Sequence, residues 1–260
     1  MRISTEPKSS FGFLDGISNP VVEGFDKVIN PGPSPVEPGV LVTGQTGDPG
    51  LTIREAWSVD GSFISFRWLF QAVPEFDQYL TKNALSKDGN GKVLTPAEGS
   101  ALLGARMVGR WMSGAPIDIT PFKDDPALAT DPKRYIHRLL NTQQRLTNLL
   151  NRNNDFRFKG EITSSLRCPY AAHVRKTNPR DDLEVPPSGI PVTPVGPHRI
   201  MRRGVQFGPE VTAEEKASGK TKHCRGLLFA AYSTSITQGF QLLQQSESFF
   251  LKKNYFDPLS

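Results

Sequence analysis

The sequence predicts an α+β fold, an antiparallel sheet with helices packed on it. Residues 62–70 are rich in the aromatic and β-branched residues that favour strands, and residues 226–232 form a mostly apolar run typical of a buried strand. Two others, residues 96–112 and 235–245, space their apolar side chains for one face of a helix. Strands and helices therefore alternate irregularly along the chain, and such strands can pair as an antiparallel sheet.

Length and composition indicate a protein with a sizeable core. The chain has 260 residues, enough for one large or two small domains, and 37% of them are hydrophobic. No apolar run approaches the roughly 18 residues of a membrane helix, and residues 1–8 lack the apolar core of a secretory signal. We therefore expect a cytosolic protein with no membrane partner. The net charge of +5 is spread along the chain without an aromatic-interleaved basic block, which argues against nucleic-acid binding.

The N-terminal part is expected to be mostly loop. Residues 20–52 are rich in Pro and Gly and lead into a short strand at Val40–Thr43. The dipeptide Asp60-Gly61 is a turn signal, and we predict a hairpin around it whose second strand is 62–70.

Two helices are predicted next. Pro74 lies in the first turn of one helix. Helical spacing then places Phe76, Tyr79 and Leu80 on a single face. Thr95 and Glu98 form a capping box at the start of the other, over 96–112. Its buried side is expected to hold Ala101, Leu102, Ala105, Val108 and Trp111 or Met112. We favour core packing over electron transfer for the three tryptophans, Trp57, Trp68 and Trp111.

The second half contains an amphipathic segment and two strand signals. Residues 135–151 have a pattern that could fold as a helix, whereas residues 181–194 are typical of a loop. Ile200–Met201 and Val205–Phe207 are predicted as two strand edges around Gly204.

A single carboxylate, Asp15, lies among large apolar residues between Gly12 and Gly16. The glycines allow a tight turn that holds the charge over a non-polar surface, where an unpaired carboxylate is costly. As an isolated motif, it more often marks a turn in which Asp15 caps Ile17 or Ser18.

Four histidines are candidate ligands: His137, His173, His198 and His223. The residues alone do not choose between His173, which precedes a cluster of bases, and His198. Cys168 and Cys224 provide no metal-binding framework, and their pairing cannot be read from their spacing.

Four segments in order, residues 12–16, 168–180, 199–208 and 225–232, resemble the dye-decolourising peroxidases, and especially the fungal members. Residues 109–118 are also similar to that family. The resemblance implies a ferredoxin-like antiparallel sheet of the dimeric α+β barrel superfamily, and haem b as cofactor. It also implies that residues 1–260 form a single C-terminal, haem-bearing domain, with a distal-loop segment at 1–50 and most of the first half missing. The segment 135–151 is foreign to the family, as a retained non-coding segment of the gene would be.

The resemblance selects His173 as the proximal ligand of the haem iron. It also places Arg175 among the cofactor-binding residues. A proximal histidine normally gives its other N–H to a carboxylate or carbonyl, and Asp257 is the candidate acceptor.

On the opposite side of the haem, the resemblance implies that Asp15 shuttles a proton between the peroxide oxygens. Arg202 would stabilise the separating charge and also contact the cofactor, whereas Arg199 and Arg203 would contact propionates or solvent. Leu227 and Phe229 match the apolar walls of the family's distal pocket.

The implied function is a haem peroxidase that reduces hydrogen peroxide and oxidises phenols or dyes in one-electron steps. The family's surface aromatics are not matched, since Phe207 stands where Tyr is common and Glu247 where we expect Trp. The alternative is a truncated haem-binding protein without turnover. A binding module without haem would leave the His173 and Arg202 segments unexplained. If the full-length family pattern applies, the protein is extracellular.

Overall fold

A computed structural model describes residues 11–13, 19–26, 35–126, 156, 158, 164–180, 182 and 195–245, and confirms the α+β class. Its strands are β1 (Val21–Val22), β2 (Pro35–Val36), β3 (Phe63–Phe70), β4 (Met201–Phe207) and β5 (Gly226–Ser233). Its α-helices are α1 (Val73–Lys82), α2 (Pro96–Val108), α3 (His173–Thr177) and α4 (Ala213–Ser218), and a π-helical turn spans Thr237–Gln241. Short 3₁₀ turns lie at Pro38–Val40, Leu51–Ile53, Ala56–Ser58 and Gly196–His198.

The main sheet is antiparallel, with β5 between β3 and β4. Side chains alternate between the two faces of a strand, so the register assigns each residue to a face. The inner face, which contacts Phe240 of the π-helical turn, carries Phe63, Ser65, Arg67, Leu69, Arg202, Gly204, Gln206, Leu227, Phe229, Ala231 and Ser233. The outer face carries Ile64, Phe66, Trp68, Phe70, Met201, Arg203, Val205, Phe207, Gly226, Leu228, Ala230 and Tyr232.

The helical core is built by α1 and α2. The predicted capping box is present, with Thr95 Oγ1 accepting from the Glu98 N–H and Glu98 accepting from Thr95. α2 ends at Val108, four residues before the predicted end, and the next residue, Gly109, caps it in the left-handed conformation with φ +99°. Leu80, Leu102, Ala105 and Trp111 are buried as predicted, and Phe76 packs against them.

Several predicted burials are wrong. Ala101 is exposed, and Leu103 is buried instead. Of the alternatives Trp111 and Met112, Trp111 is the buried one. Trp57 is 86% exposed and Trp68 60% exposed, so the core-packing prediction holds only for Trp111. Because α2 stops at Gly109, helical spacing does not apply to Trp111 and Met112. Trp111 is instead fixed by its indole N–H, which donates to the Thr120 carbonyl at 2.8 Å.

The strand predicted at Val40–Thr43 is wrong, and so is the hairpin that ends in 62–70. Pro38–Val40 forms a 3₁₀ turn instead. The chain folds back on itself there so closely that a Cβ on Gly39 would lie 2.1 Å from the Asp48 backbone nitrogen. The turn at Asp60 exists, with φ +61°, but β3 pairs with β5 from the far end of the chain. Long-range pairing therefore decides the partner of β3.

Other predictions are confirmed or extended. The strand edges around Gly204 are one continuous strand, β4, and the helix predicted over 235–245 begins with the π-helical turn. The sequence prediction omitted α3 and α4. The segment 135–151 lies outside the described residues. No helix in the described ranges is long and apolar enough to cross a membrane.

Glu215 is the fully buried carboxylate that holds the connection between β4 and β5. It accepts from Arg225 Nη2 at 2.6 Å and from the backbone N–H groups of Thr212, Lys222 and His223 at 2.8 to 3.0 Å. The Arg225 guanidinium is the main cause that holds the pKa of Glu215 far below its usual range, against the effect of burial.

We predict that Glu215→Gln lowers the melting temperature by on the order of 10 °C, because it leaves the buried Arg225 without a carboxylate. Glu214→Gln is the matched control, since its neighbouring ion pair with Lys222 is exposed and contributes little. The measurement is thermal unfolding by circular dichroism. Equal shifts in the two variants would contradict the role given to Glu215.

Asp48 provides a second, pH-dependent contribution to stability. Its carboxylate pairs with Arg54 through two hydrogen bonds of 2.8 Å and accepts from the Gly44 and Gly50 N–H groups. The Arg54 hydrogen bonds are the largest cause that lowers the pKa of Asp48 from 3.8 to about 2, although burial opposes them. Because the pKa of Asp48 is lower in the folded state, the ionised carboxylate stabilises the fold at pH values above the unfolded-state pKa. That stabilisation is lost as the pH falls through the folded-state pKa.

We therefore expect Asp48→Asn to be less stable than the wild type by a constant margin at neutral pH. That margin should shrink as the pH falls from 3.8 through about 2, because below that range the wild-type carboxyl is protonated in both the folded and the unfolded state. Denaturant unfolding over this range measures it. Arg54→Leu should flatten the same pH dependence, because it removes the partner of Asp48. If the stability difference between the wild type and Asp48→Asn persisted unchanged to the lowest pH, the role given to the Asp48 carboxylate would be refuted.

Candidate active site

The helical core and the main sheet form two separate parts of the structure, which we call the two bodies. The buried cluster of α1, α2 and their neighbours includes Trp111, Ile117, Phe156, Phe158 and Ala172, and none of its members comes from β3, β4 or β5. The residues predicted for the site divide between these bodies. His173 and Arg175 lie on the helical side, whereas Arg202, Leu227 and Phe229 lie on the inner face of the sheet.

On the helical side, α3 begins at the predicted ligand, His173. Ala172 precedes it, fully buried, and Val174 packs closely on the end of α2, where a Cβ on Gly109 would lie 2.8 Å away. The backbone of α3 is thereby fixed against the core, while the side chain of His173 stays exposed. An imidazole so placed is accessible to a ligand that binds beside the core.

Arg175 connects α3 to the surrounding loops. It is almost fully buried, and its guanidinium forms two hydrogen bonds of 2.6 and 2.7 Å with Asp182. It also donates to the Ser164 and Cys168 carbonyls and lies 4.0 Å over the Tyr170 ring. Burial opposes its charge, but the Asp182 carboxylate outweighs this and raises the pKa of Arg175. These contacts position the histidine segment, so contact between Arg175 and a cofactor stays a prediction.

On the sheet side, Arg202, Gly204 and Leu227 share the inner face. Arg202 is half-buried there, opposite Ala231, whereas its neighbour Arg203 is exposed on the outer face. Gly204 makes room for Leu227, since a Cβ at Gly204 would lie 2.8 Å from the Leu227 Cδ1.

Phe229 lies next to Arg202 and Leu227 on the inner face. Its ring centroid is 5.8 Å from that of Phe240, and the Arg67 guanidinium carbon lies 5.1 Å from the centroid of the Phe240 ring. The predicted arginine and its two apolar neighbours are thus brought together on one surface.

One amide joins the two sides. With its oxygen turned toward the guanidinium, Asn178 accepts from Arg199 Nε at 3.3 Å and from Nη1 at 3.0 Å. Asn178 follows α3 directly, and Arg199 is buried three residues before Arg202. Arg199 therefore ties the histidine segment to the start of β4.

Asp15 and Asp257 lie outside the described residues, but the residues that flank Asp15 do not. Phe13 is buried against Phe76 and against Gly104, where a Cβ would lie 2.9 Å from its ring. On the other side, Asn19 Oδ1 accepts from the Arg202 backbone N–H at 3.3 Å. The Asp15 segment is thus anchored to the helical core at one end and to Arg202 at the other.

The remaining candidates lie elsewhere. His223 is exposed and His198 is half-buried, with His198 Nδ1 2.8 Å from the Gln238 carbonyl. Cys168 is buried and Cys224 exposed, and no disulfide joins them. Within the described ranges, no group of three or more His, Cys, Asp and Glu side chains could hold a bare metal ion. A cavity of about 320 Å³ lined by Ile53, Arg54, Phe63, Thr234 and others contains none of the predicted site residues.

The sequence prediction missed four residues that organise this region: Asn19, Asn178, Gly204 and Phe240. Both asparagines precede a proline, which is a signal for a turn and gives no indication of a long-range hydrogen bond. The Phe229–Phe240 contact follows only from the way the π-helical turn lies on the sheet.

No family model matches the chain. The dye-decolorizing peroxidase AauDyP1 of Auricularia auricula-judae is 46% identical over 244 residues, which cover 91% of this chain and 42% of the relative. A variant of the dye-decolorizing peroxidase of Pleurotus ostreatus is 48% identical with a TM-score of 0.77, over 92% of this chain and 44% of that one. A dye-decolorizing peroxidase solved with 2,6-dimethoxyphenol is 43% identical with a TM-score of 0.77, over 94% and 49%.

At these identities, the likeness extends to the ferredoxin-like α+β fold of the solved structures. It spans nearly all of this chain but less than half of each of these three relatives. The chain belongs to the family of fungal dye-decolorizing peroxidases.

Proposed function

We propose that this chain is the haem-bearing part of a peroxidase that uses haem b and hydrogen peroxide to oxidise phenols or dyes. The observation that carries the proposal is the pair of bodies joined by Asn178 and Arg199, with an exposed imidazole on one body and an arginine on the other. The similarity to dye-decolorizing peroxidases, one of which has an engineered heme pocket, supports haem as the cofactor.

The described residues fit a flat, largely apolar group that needs one nitrogen ligand. Haem iron takes a neutral imidazole as its protein ligand and leaves the other face open to peroxide. His173 would provide that ligand, and Leu227 and Phe229 offer an apolar wall on the sheet. Phe63 and Leu69 of the same face are more than two-fifths exposed, so this surface has apolar area left to cover.

When bound, haem supplies the redox chemistry by which a peroxide is reduced to water. The residues of the chain supply protons and charge. Asp15 would take a proton from one peroxide oxygen and return it to the other as the O–O bond breaks. Arg202 would stabilise the negative charge on the departing oxygen, and Asp257 would accept the second N–H of His173.

Balance requires two electrons and two protons for each peroxide. Two phenol molecules supply them, each losing one electron and one proton. A relative binds 2,6-dimethoxyphenol, which supports small phenols as reductants. Since the side chain of Asp ordinarily has a pKa of about 3.9, a carboxylate shuttle stays charged in mildly acidic water.

A haem-binding protein without turnover is the second candidate. It is favoured by the exposure of Gln206, Phe63 and Leu69 on the inner face, because an open distal side does not exclude water. The two functions share the His173 ligand and differ in what Asp15 and Arg202 can do.

We predict that haemin titration of the purified chain gives a saturable ferric spectrum that His173→Ala abolishes. His223→Ala is the control, since His223 is exposed and its structural contact with Glu215 uses the backbone N–H. Absorption spectroscopy measures both. Equal binding by the two variants would refute His173 as the ligand, and no specific binding by the wild type would refute the haem function itself.

We predict that Arg202→Leu lowers the rate of peroxide-dependent phenol oxidation about 10²- to 10³-fold while haemin still binds. Arg203→Leu removes the same charge from the adjacent position on the outer face and should retain most of the activity. Stopped-flow kinetics at matched haem loading compares them. Wild-type haemin binding without turnover would support the second candidate.

A further inference from the structure

The short helix α3 cannot fix its own direction. It spans little more than one turn, and such a turn is unstable without tertiary contacts. Successive residues of a helix are about 100° apart, so the side chains of His173 and Arg175 leave α3 on nearly opposite sides. The side chain of His173 is exposed, whereas Arg175 is almost fully buried. The direction of the imidazole therefore depends on what holds Arg175.

Asp182 holds the guanidinium of Arg175 along one edge. Its Oδ2 accepts from Nε at 2.6 Å and its Oδ1 accepts from Nη2 at 2.7 Å. Both side chains are withdrawn from solvent, with 1% of Arg175 and 11% of Asp182 exposed. Two parallel hydrogen bonds to a planar guanidinium fix its orientation as well as its distance, which a lysine in the same place could not do.

The other described partners of this guanidinium are uncharged. It lies 4.0 Å from the ring centroid of Tyr170 and 4.8 Å from that of Phe158. Its Nη1 donates to the backbone carbonyls of Ser164 and Cys168 at 3.1 and 2.5 Å. Among these partners, Asp182 supplies the negative charge, and its removal would leave an uncompensated cation in the interior.

We propose that Asp182 is a positioning residue for the proximal imidazole and acts through Arg175. Its carboxylate fixes the direction in which α3 presents His173, and it neutralises the cation two residues further along the helix. Because it takes His173 as the ligand of haem iron, this proposal rests on the proposed function. The contacts that carry it are buried within the chain, so they do not depend on what covers the exposed surfaces.

The charges of the pair have a redox consequence. A positive charge beside the proximal ligand disfavours ferric iron relative to ferrous iron, and a negative charge favours it. Loss of the Asp182 charge should therefore raise the midpoint potential of the bound haem, whereas loss of the Arg175 charge should lower it. Two residues that only stabilised the fold would not shift the potential in opposite directions.

The experiment compares Asp182→Asn, Arg175→Leu and the double variant in the whole chain. Asp48→Asn is the matched control, since it removes a carboxylate from another bidentate pair, with Arg54, in a different part of the chain. Spectroelectrochemical titration measures the ferric–ferrous midpoint potential of each haemin-loaded protein. Hydrogen exchange followed by mass spectrometry measures the protection of residues 173–177 in each haem-free protein.

We expect Asp182→Asn to shift the potential upward, Arg175→Leu to shift it downward, and the double variant to return close to the wild type. In the haem-free protein, Asp182→Asn should speed exchange at residues 173–177 at least about tenfold, because it leaves a buried cation unpaired. Asp48→Asn should change neither quantity. Shifts of both single variants in the same direction would overturn the proposal.

A conservative variant covers the case in which Asp182→Asn does not fold, which far-ultraviolet circular dichroism would show. Asp182→Glu keeps the charge but lengthens the side chain by one methylene, so it should speed exchange in α3 and leave the potential unchanged. Exchange at residues 173–177 that neither Asp182 variant alters would overturn the positioning role. A wild type that takes up no haemin would instead refute the haem function, and with it the redox part of the proposal.

Discussion

The pairing of β5 between two antiparallel neighbours is the constraint on which the described structure depends. β3 and β5 are separated by more than one hundred and fifty residues in sequence, so their pairing closes a long loop whose entropy must be offset by the contacts that the sheet makes. The same register sends Arg202, Leu227 and Phe229 to one face and Trp68, Phe70 and Val205 to the other. Position on a face, rather than residue type alone, therefore separates the two arginines Arg202 and Arg203.

Local patterns in the sequence predicted the elements well and their partners poorly. The strand 62–70, the capping box at Thr95 and the strand 226–232 depend on neighbouring residues, and the structure confirms each of them. The partner of β3 depends on a segment far along the chain, and the predicted hairpin failed for that reason. The burial prediction failed at Ala101 because periodicity identifies the face of a helix but does not show what covers it.

The candidate site shows the same division. Family resemblance pointed to His173, Arg202, Leu227 and Phe229, and three of these four share one surface. The groups that hold them in place, such as Asn178 and Gly204, act through contacts between segments remote in sequence. The neighbouring sequence does not identify such residues, since an Asn before a proline is ordinarily explained by a turn and a Gly in a strand by a bulge or a close backbone approach.

The link between Asn178 and Arg199 has a consequence for a protein of this family in acid. The described chain is also held by carboxylates, as at Asp48, Asp182 and Glu215, and each of these must lose its charge when the pH falls far enough. A carboxamide does not ionise in this range, and a guanidinium keeps its proton. The histidine and arginine segments are thus joined by a hydrogen bond that acidity does not weaken, whereas the contact of Arg175 with Asp182, which also positions the histidine segment, depends on a carboxylate.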